Sequence, residues 1–172
     1  MQFVHCTYDA HAEQILAILN EAIVNSTALY DYEPRTLESM STWFKVKESG
    51  SFPVMGAVEN GKLIGFASYG TFRPWPAYKY TVEHSVYVHK QHRGRGLGIA
   101  LMRALIAEAR RQELHVMVGG IDISNEGSIA LHEKLGFVQS GIVRQAAFKF
   151  GRWLDLGLYQ LVLDTPRDPV DG

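Results

Sequence analysis

The chain has one cysteine, Cys6, in its 172 residues, which excludes an intrachain disulfide and a thiolate zinc cluster. A lone thiol fits a reducing compartment. No apolar run approaches the roughly 18 residues a membrane helix needs. The opening stretch MQFVHCTYDAHAEQ lacks the basic-then-apolar order of a secretion signal. A cytoplasmic protein with no membrane partner is therefore expected. Charge of one sign is also missing. Seventeen Lys and Arg against 18 Asp and Glu leave a formal net charge of -1, so no bulk field draws the chain to nucleic acid. The histidines (His5, His11, His84, His89, His92, His115 and His132) have no metal-ligand spacing, and no metal site is expected.

What is present is ordinary globular material, 47% apolar and 20% charged, enough for a real core. The patterning predicts a strand over 2–8, then a helix with Asp9 as its N-cap and Ile15, Leu16, Leu19 and Ile23 at helical spacing. A second helix follows Pro34, carries Leu37, Met40 and Phe44 on one face, and ends at Gly50. Asn60-Gly61 between two apolar runs predicts a hairpin over 52–70. A proline-stiffened loop over 72–78 leads to a strand over 81–88. Ile99, Met102, Ile106 and Ala109 mark the next helix. A strand over 116–121, a helix over 125–135 closed by Gly136, and two long strands near 137–148 and 153–163 complete the pattern. One mixed α/β domain over 1–164, with a flexible tail over 165–172, is the expected organisation.

The most informative segment joins the strand over 81–88 to the helix after it: Arg93-Gly94-Arg95-Gly96-Leu97-Gly98. Strand, glycines, helix is how a backbone anion site is built. The first helical N–H groups have no intrahelical acceptor, and glycines let the chain approach phosphate oxygens closely. The Gly-Lys-Ser/Thr ending of an NTP-binding loop is absent, and the dinucleotide pattern fails because Ile99 stands where its last glycine belongs. A plain glycine-rich surface turn is the alternative.

Arg93 to Gly98 resembles the Q/R-x-x-G-x-G/A signature of the GNAT acetyltransferases. Asn125-x-x-Ser128 and Leu131-His132-Glu133-Lys134-Leu135-Gly136-Phe137 are similar to that superfamily's second signature. Thr81-Val82-Glu83-His84-Ser85-Val86-Tyr87-Val88 and Phe148-Lys149-x-Gly151-x-Trp153-x-Asp155 resemble one branch, the phosphinothricin and methionine sulfone/sulfoximine N-acetyltransferases. The resemblance implies a GNAT fold, with about seven strands in a mixed, centrally splayed sheet and about four helices. It implies acetyl-CoA in the cleft of the splay, its pantetheine arm running along Val86, Tyr87 and Val88 like an added strand. Arg93, Gly94, Arg95, Gly96, Leu97 and Gly98 would take the pyrophosphate, Asn125 the pantetheine arm, and Ser128 would assist. A homodimer is implied as well.

For the chemistry, an amine attacking a thioester needs a base, and Glu83 is the candidate, directly or through water. The alternative is an ion-paired or edge-exposed carboxylate. A backbone N–H near Val88 could serve the oxyanion. His132 is the candidate donor to the leaving thiolate, and its alternative is a helix histidine that only hydrogen-bonds. Arg73 could fork a carboxylate or phosphinyl oxygen, with Trp75 and Tyr78 walling the site and Lys149 as a further anion contact. The expected activity is acetyl transfer to the α-amino group of a small amino acid or analogue. Transfer to a protein N-terminus or a polyamine, and a non-catalytic acyl-CoA-binding module, are the rival readings.

Overall fold

The computed structural model describes residues 1–172. In chain order the elements are β1 (Gln2–His5), α1 (Tyr8–Asn25), α2 (Leu37–Ser49), β2 (Val54–Glu59), β3 (Lys62–Thr71), β4 (Thr81–Val88), α3 (Leu97–Arg111), β5 (Val116–Asp122), α4 (Glu126–Lys134), β6 (Val138–Lys149) and β7 (Arg152–Val162). The seven strands follow the order β1-β2-β3-β4-β5-β7-β6 in one mixed sheet. No helix is long and apolar enough to cross a membrane. The chain divides into two compact units, Met1–Gly70 with Ser85–Leu105, and Thr71–His84 with Ile106–Gly172. The division falls inside β4 and α3.

In the first unit, the apolar faces of α1 (Ala12, Ile15, Ile18, Leu19) and α2 (Met40, Phe44) bury against Val54, Leu63 and Phe66. Trp43 meets Phe44 and Phe66 edge-on, at 4.9 and 6.2 Å. Truncating Phe66, which is fully buried, would cost about 3–5 kcal/mol in lost packing. The N-cap of α1 is Thr7, not Asp9. The Thr7 N–H donates to His11 Nδ1 at 3.1 Å, so a side chain one turn on satisfies the cap and moves the start back by two residues. The expected hairpin forms, with Asn60 and Gly61 at φ 52° and 75° between β2 and β3. Gly65 of β3 lies under the chain of β4, where a Cβ would stand 3.0 Å from the Tyr87 carbonyl.

In the second unit, β5 is the centre. It pairs in parallel with the start of β4 over Thr81↔Val116, Val82↔Met117 and Glu83↔Val118, and antiparallel with β7 along its whole length. The β6–β7 hairpin turns at Phe150 and Gly151, with φ of 51° and 72°. Its pairing shifts between Val143 and Ala147, where Gln145 takes a positive φ and donates its N–H to Asp155 at 2.8 Å. The tail expected to be flexible makes specific contacts. Thr165 Oγ1 donates to the Leu114 carbonyl, and the Val170 N–H donates to Tyr80 Oη at 3.2 Å.

The apolar stripe of α3 runs along Leu101, Met102, Leu105, Ile106 and Ala109, all buried. Ile99, expected on this stripe, is only half-buried. The helix starts at Leu97, so the buried face begins there rather than two residues later.

Candidate active site

In the first unit, β4 ends at Val88 and the chain passes through a single 3-10 turn, Lys90–His92, into the glycine loop. Gly94 and Gly96 adopt φ of 77° and 76°, which side-chain-bearing residues rarely tolerate. Arg93 at φ -67° and ψ 157° followed by Gly94 at positive φ has the dihedral sequence of a type II turn, which requires glycine at its second central position. Leu97 and Gly98 open α3, whose positive dipole end lies at the loop. The Leu97 side chain is buried, so that residue offers only its N–H.

The arginines of the loop are engaged elsewhere. Arg93 Nη2 donates to Glu21 at 2.6 Å and its Nε to the Val88 carbonyl at 3.1 Å. Arg95 donates to both carboxylate oxygens of Glu59, at 3.2 and 3.0 Å. The Arg95–Glu59 pair lines a cavity of about 190 Å3, together with Met1, His92 and the first residues of α3. Of the expected pantetheine contacts, Tyr87 packs its ring against Phe66 at 5.5 Å, and the Val88 carbonyl already accepts from Arg93.

The second unit holds two groups: Glu83 within the field of Arg73, and His132 with Ser128 and Asn125 on the side of β4 that His84 faces. Period-two alternation is visible in β4: Val82 and His84 are buried, and Glu83 between them is exposed. Surrounding protein still pushes the Glu83 carboxyl above the ordinary carboxylate range, and the nearby Arg73 charge opposes that rise. Two adjacent glycines of β5 receive the two β4 side chains. A Cβ on Gly120 would lie 3.6 Å from Glu83 Oε1, and one on Gly119 would lie 2.8 Å from His84 Nε2 and 3.6 Å from His132 Nε2.

His132 sits on α4, with Nδ1 2.7 Å from the Ser128 carbonyl one turn earlier. A carbonyl only accepts, so Nδ1 carries the proton and Nε2 presents a lone pair when the ring is neutral. Burial lowers the pKa of His132, and the bond to Ser128 opposes that in part. His84 stacks on His132, ring centroids 5.0 Å apart and 19° from parallel, and Phe137 meets both rings edge-on. Burial pushes His84 down to about 3, with the neighbouring His132 a lesser cause. Neither His84 nitrogen nor His132 Nε2 has a hydrogen-bond partner in the protein.

Asn125 is the N-cap of α4 and accepts the Ser128 N–H on Oδ1 at 3.1 Å. Ser128 thus contributes its N–H to Asn125 and its carbonyl to His132. The turn before α4 is set by Asp122. Its buried carboxylate accepts from the Ser124 N–H and hydroxyl at 3.0 and 2.9 Å and lies 3.6 Å from Arg152.

Arg73 stands in the exposed 72–78 loop, its guanidinium 4.4 Å over the Phe72 ring and donating to the Phe72 carbonyl at 2.8 Å. Phe72 and Tyr78 pack edge-to-face at 5.6 Å, while Trp75 is 64% exposed. Lys149, the further anion candidate, is buried, with Nζ 5.0 Å from the Phe150 ring centroid.

Several residues of this arrangement were missed from sequence alone. A glycine pair inside a strand is a signal for close approach, and Gly119-Gly120 carried it. His84 gave no local signal, because its importance comes from α4 and Phe137.

The model of the acetyltransferase (GNAT) family matches residues 15–137. An L-methionine sulfoximine/L-methionine sulfone acetyltransferase of Pseudomonas paraeruginosa is 47% identical over 154 residues, 89% of this chain and 90% of that protein. A solved chain from Acinetobacter baylyi ADP1 is 62% identical with a TM-score of 0.98, covering 99% of this chain and 97% of that one. A GNAT superfamily phosphinothricin acetyltransferase from Sinorhizobium meliloti, solved in complex with acetyl-CoA, is 31% identical. Its TM-score is 0.90, over 94% of this chain and 88% of that one.

Proposed function

We propose that this chain, which belongs to the GNAT acetyltransferase family, transfers the acetyl group of acetyl-CoA to the α-amino group of a small amino acid of the methionine sulfone, methionine sulfoximine or phosphinothricin type. The observation that carries this reading is the Glu83 carboxylate on β4: solvent-accessible, within the field of Arg73, and held above the ordinary carboxylate range by the protein around it. The named activities of the similar Pseudomonas and Sinorhizobium proteins support the acceptor class. Residues 1–164 act as one domain.

The loop from Arg93 to Gly98 holds the pyrophosphate on its N–H groups, Val86 to Val88 offer the pantetheine arm backbone contacts, and Asn125 adds a side-chain amide. Arg73 binds the acceptor's acidic group, with Trp75 and Tyr78 as apolar walls. Lys149 lends positive charge from beneath the β6–β7 turn. Glu83 takes one proton from the ammonium, directly or through water, and the free amine attacks the thioester carbonyl. The C–N bond forms, and the oxyanion is met by a backbone N–H near Val88. When the C–S bond breaks, the second nitrogen proton must reach the thiolate. His132 Nε2, a bare lone pair in the neutral ring, accepts that proton and passes it to sulfur. Burial makes the transient imidazolium a strong acid, which speeds the second half of the transfer.

Polyamine acetylation is disfavoured because Arg73 places positive charge at the acceptor side. A homodimer working in the cytoplasm is part of the same reading. Exposed Ile142, Val143 and Trp153 on the terminal hairpin support the dimer.

Three outcomes test the proposal. NMR of the product from methionine sulfone and acetyl-CoA should place the acetyl group on the α-nitrogen, and acetate alone would contradict it. Arg73→Ala should raise the acceptor KM about 10- to 100-fold with little change in that for acetyl-CoA, as loss of a charge-assisted fork implies. Equal effects on both would remove Arg73 from the acceptor site. The pH profile should move as well. Activity needs Glu83 ionised, so kcat/KM falls as pH drops through its raised pKa. Without Arg73 that pKa rises further, and the acid limb shifts to higher pH. An unmoved limb would mean that another group sets it.

A further inference from the structure

The anion loop is tethered at two points by carboxylates from distant parts of the chain. Glu21, on α1, holds Arg93 at 2.6 Å. Glu59, at the end of β2, holds Arg95 through two hydrogen bonds, with His92 Nδ1 2.8 Å from Arg95 Nη1 and 3.7 Å from the Glu59 carboxylate. The Arg95 guanidinium holds the Glu59 carboxyl below its usual range. The two tethers flank Gly94, and Gly96 follows the second directly; both glycines have left-handed backbone.

Arginines in a phosphate loop invite the assumption that they bind phosphate. Here each is already neutralised by a carboxylate and drawn onto a separate element of the first unit. A guanidinium paired in this way has little net charge left to offer an anion. Its tether instead limits the conformations of two glycines that would otherwise be among the most mobile residues in the chain. A loop ordered before binding loses less entropy when the ligand arrives.

We propose that Glu21 and Glu59 are positioning residues for the cofactor loop, and that Arg93 and Arg95 serve the pyrophosphate as anchors of that loop rather than as phosphate ligands. This rests on the acetyl-CoA reading above. It explains why an anion site carries two carboxylates at its margin, which in simple electrostatic terms should repel the ligand.

The sign of one substitution separates the alternatives. If Arg95 touched phosphate, Glu59→Gln would free the guanidinium and remove a negative charge, and CoA would bind more tightly. If Arg95 is an anchor, Glu59→Gln loosens the loop and CoA binds about three- to tenfold more weakly, close to the effect of Arg95→Gln. The double Gln variant should then be no worse than either single one, because both remove the same interaction. Exchanging the charges, Glu59→Arg with Arg95→Glu, should recover most of the affinity. A direct phosphate contact predicts that the exchange binds worst of all.

Calorimetric titration of the whole protein with CoA reads these affinities. The melting temperature of each variant, read alongside, should stay within a few degrees of wild type, which distinguishes a loosened loop from a damaged fold. Tighter binding by Glu59→Gln, or an exchange variant weaker than Arg95→Gln, overturns the inference while leaving the acetyltransferase reading intact. Wild-type protein that binds no CoA overturns both.

Discussion

Glu83→Gln is expected to lower kcat by about 10²- to 10⁴-fold, the usual contribution of a positioned general base, while the KM for acetyl-CoA changes little. The amide keeps the size of the side chain and the close passage over Gly120, 3.6 Å from Oε1 to a Cβ there. It removes only the ability to accept a proton. The variant should melt no lower than wild type, because it removes a carboxylate whose ionised form burial disfavours. The acid limb of the wild-type pH profile should be absent from the residual activity. A kcat within about threefold of wild type would remove Glu83 from the chemistry.

The second large effect is expected at Gly119, a residue with no functional group. Gly119→Ala puts a methyl group 2.8 Å from His84 Nε2 and 3.6 Å from His132 Nε2. His84 cannot retreat easily, since His132 lies against its face and Phe137 meets its edge. Overpacking of this kind costs about 1–3 kcal/mol. Relief of the clash must move one of the two histidines. Activity should therefore fall by about tenfold or more even where the variant remains folded, as expected when a catalytic group is displaced by a fraction of an ångström. Gly120→Ala is the internal control. Its Cβ would meet the flexible end of Leu156 at 3.1 Å, which can shift, so the fold should suffer less. Adding His84→Ala to Gly119→Ala should raise the melting temperature above that of Gly119→Ala alone, because the clash disappears. Indistinguishable Gly119→Ala and Gly120→Ala variants would show that the histidine pair does not constrain this strand.

The features legible in the sequence were those written in local pattern. Strand β4 occupies Thr81–Val88 as its alternation predicts, and α3 follows from the glycine loop. Asn60-Gly61 marks the hairpin, and α4 begins just after Asn125. These depend on neighbours a few residues apart, where turn chemistry and periodicity act. The family resemblance likewise came from short motifs, and the family model covers most of the same span.

What the sequence did not reveal came from pairs brought together by the fold. Arg93 and Glu21 are 72 positions apart, and Arg95 and Glu59 are 36 apart. Composition shows basic residues near the loop but not that carboxylates meet them. The proton position on His132 depends on a carbonyl four residues earlier, and only the built helix fixes which nitrogen faces it. Nothing near Lys149 in the sequence shows that its side chain is buried at the end of β6. At α1 the Asp9 signal was a real helix-start preference, displaced because His11 caps the Thr7 N–H.

The most direct test of the account is release of free CoA thiol by the purified protein, with acetyl-CoA and each of methionine sulfone, methionine sulfoximine, phosphinothricin, common amino acids and polyamines. The account predicts acceptor-dependent release with one or more of the three analogues, well above that with any polyamine. Release with no amine, or with polyamines alone, would contradict it.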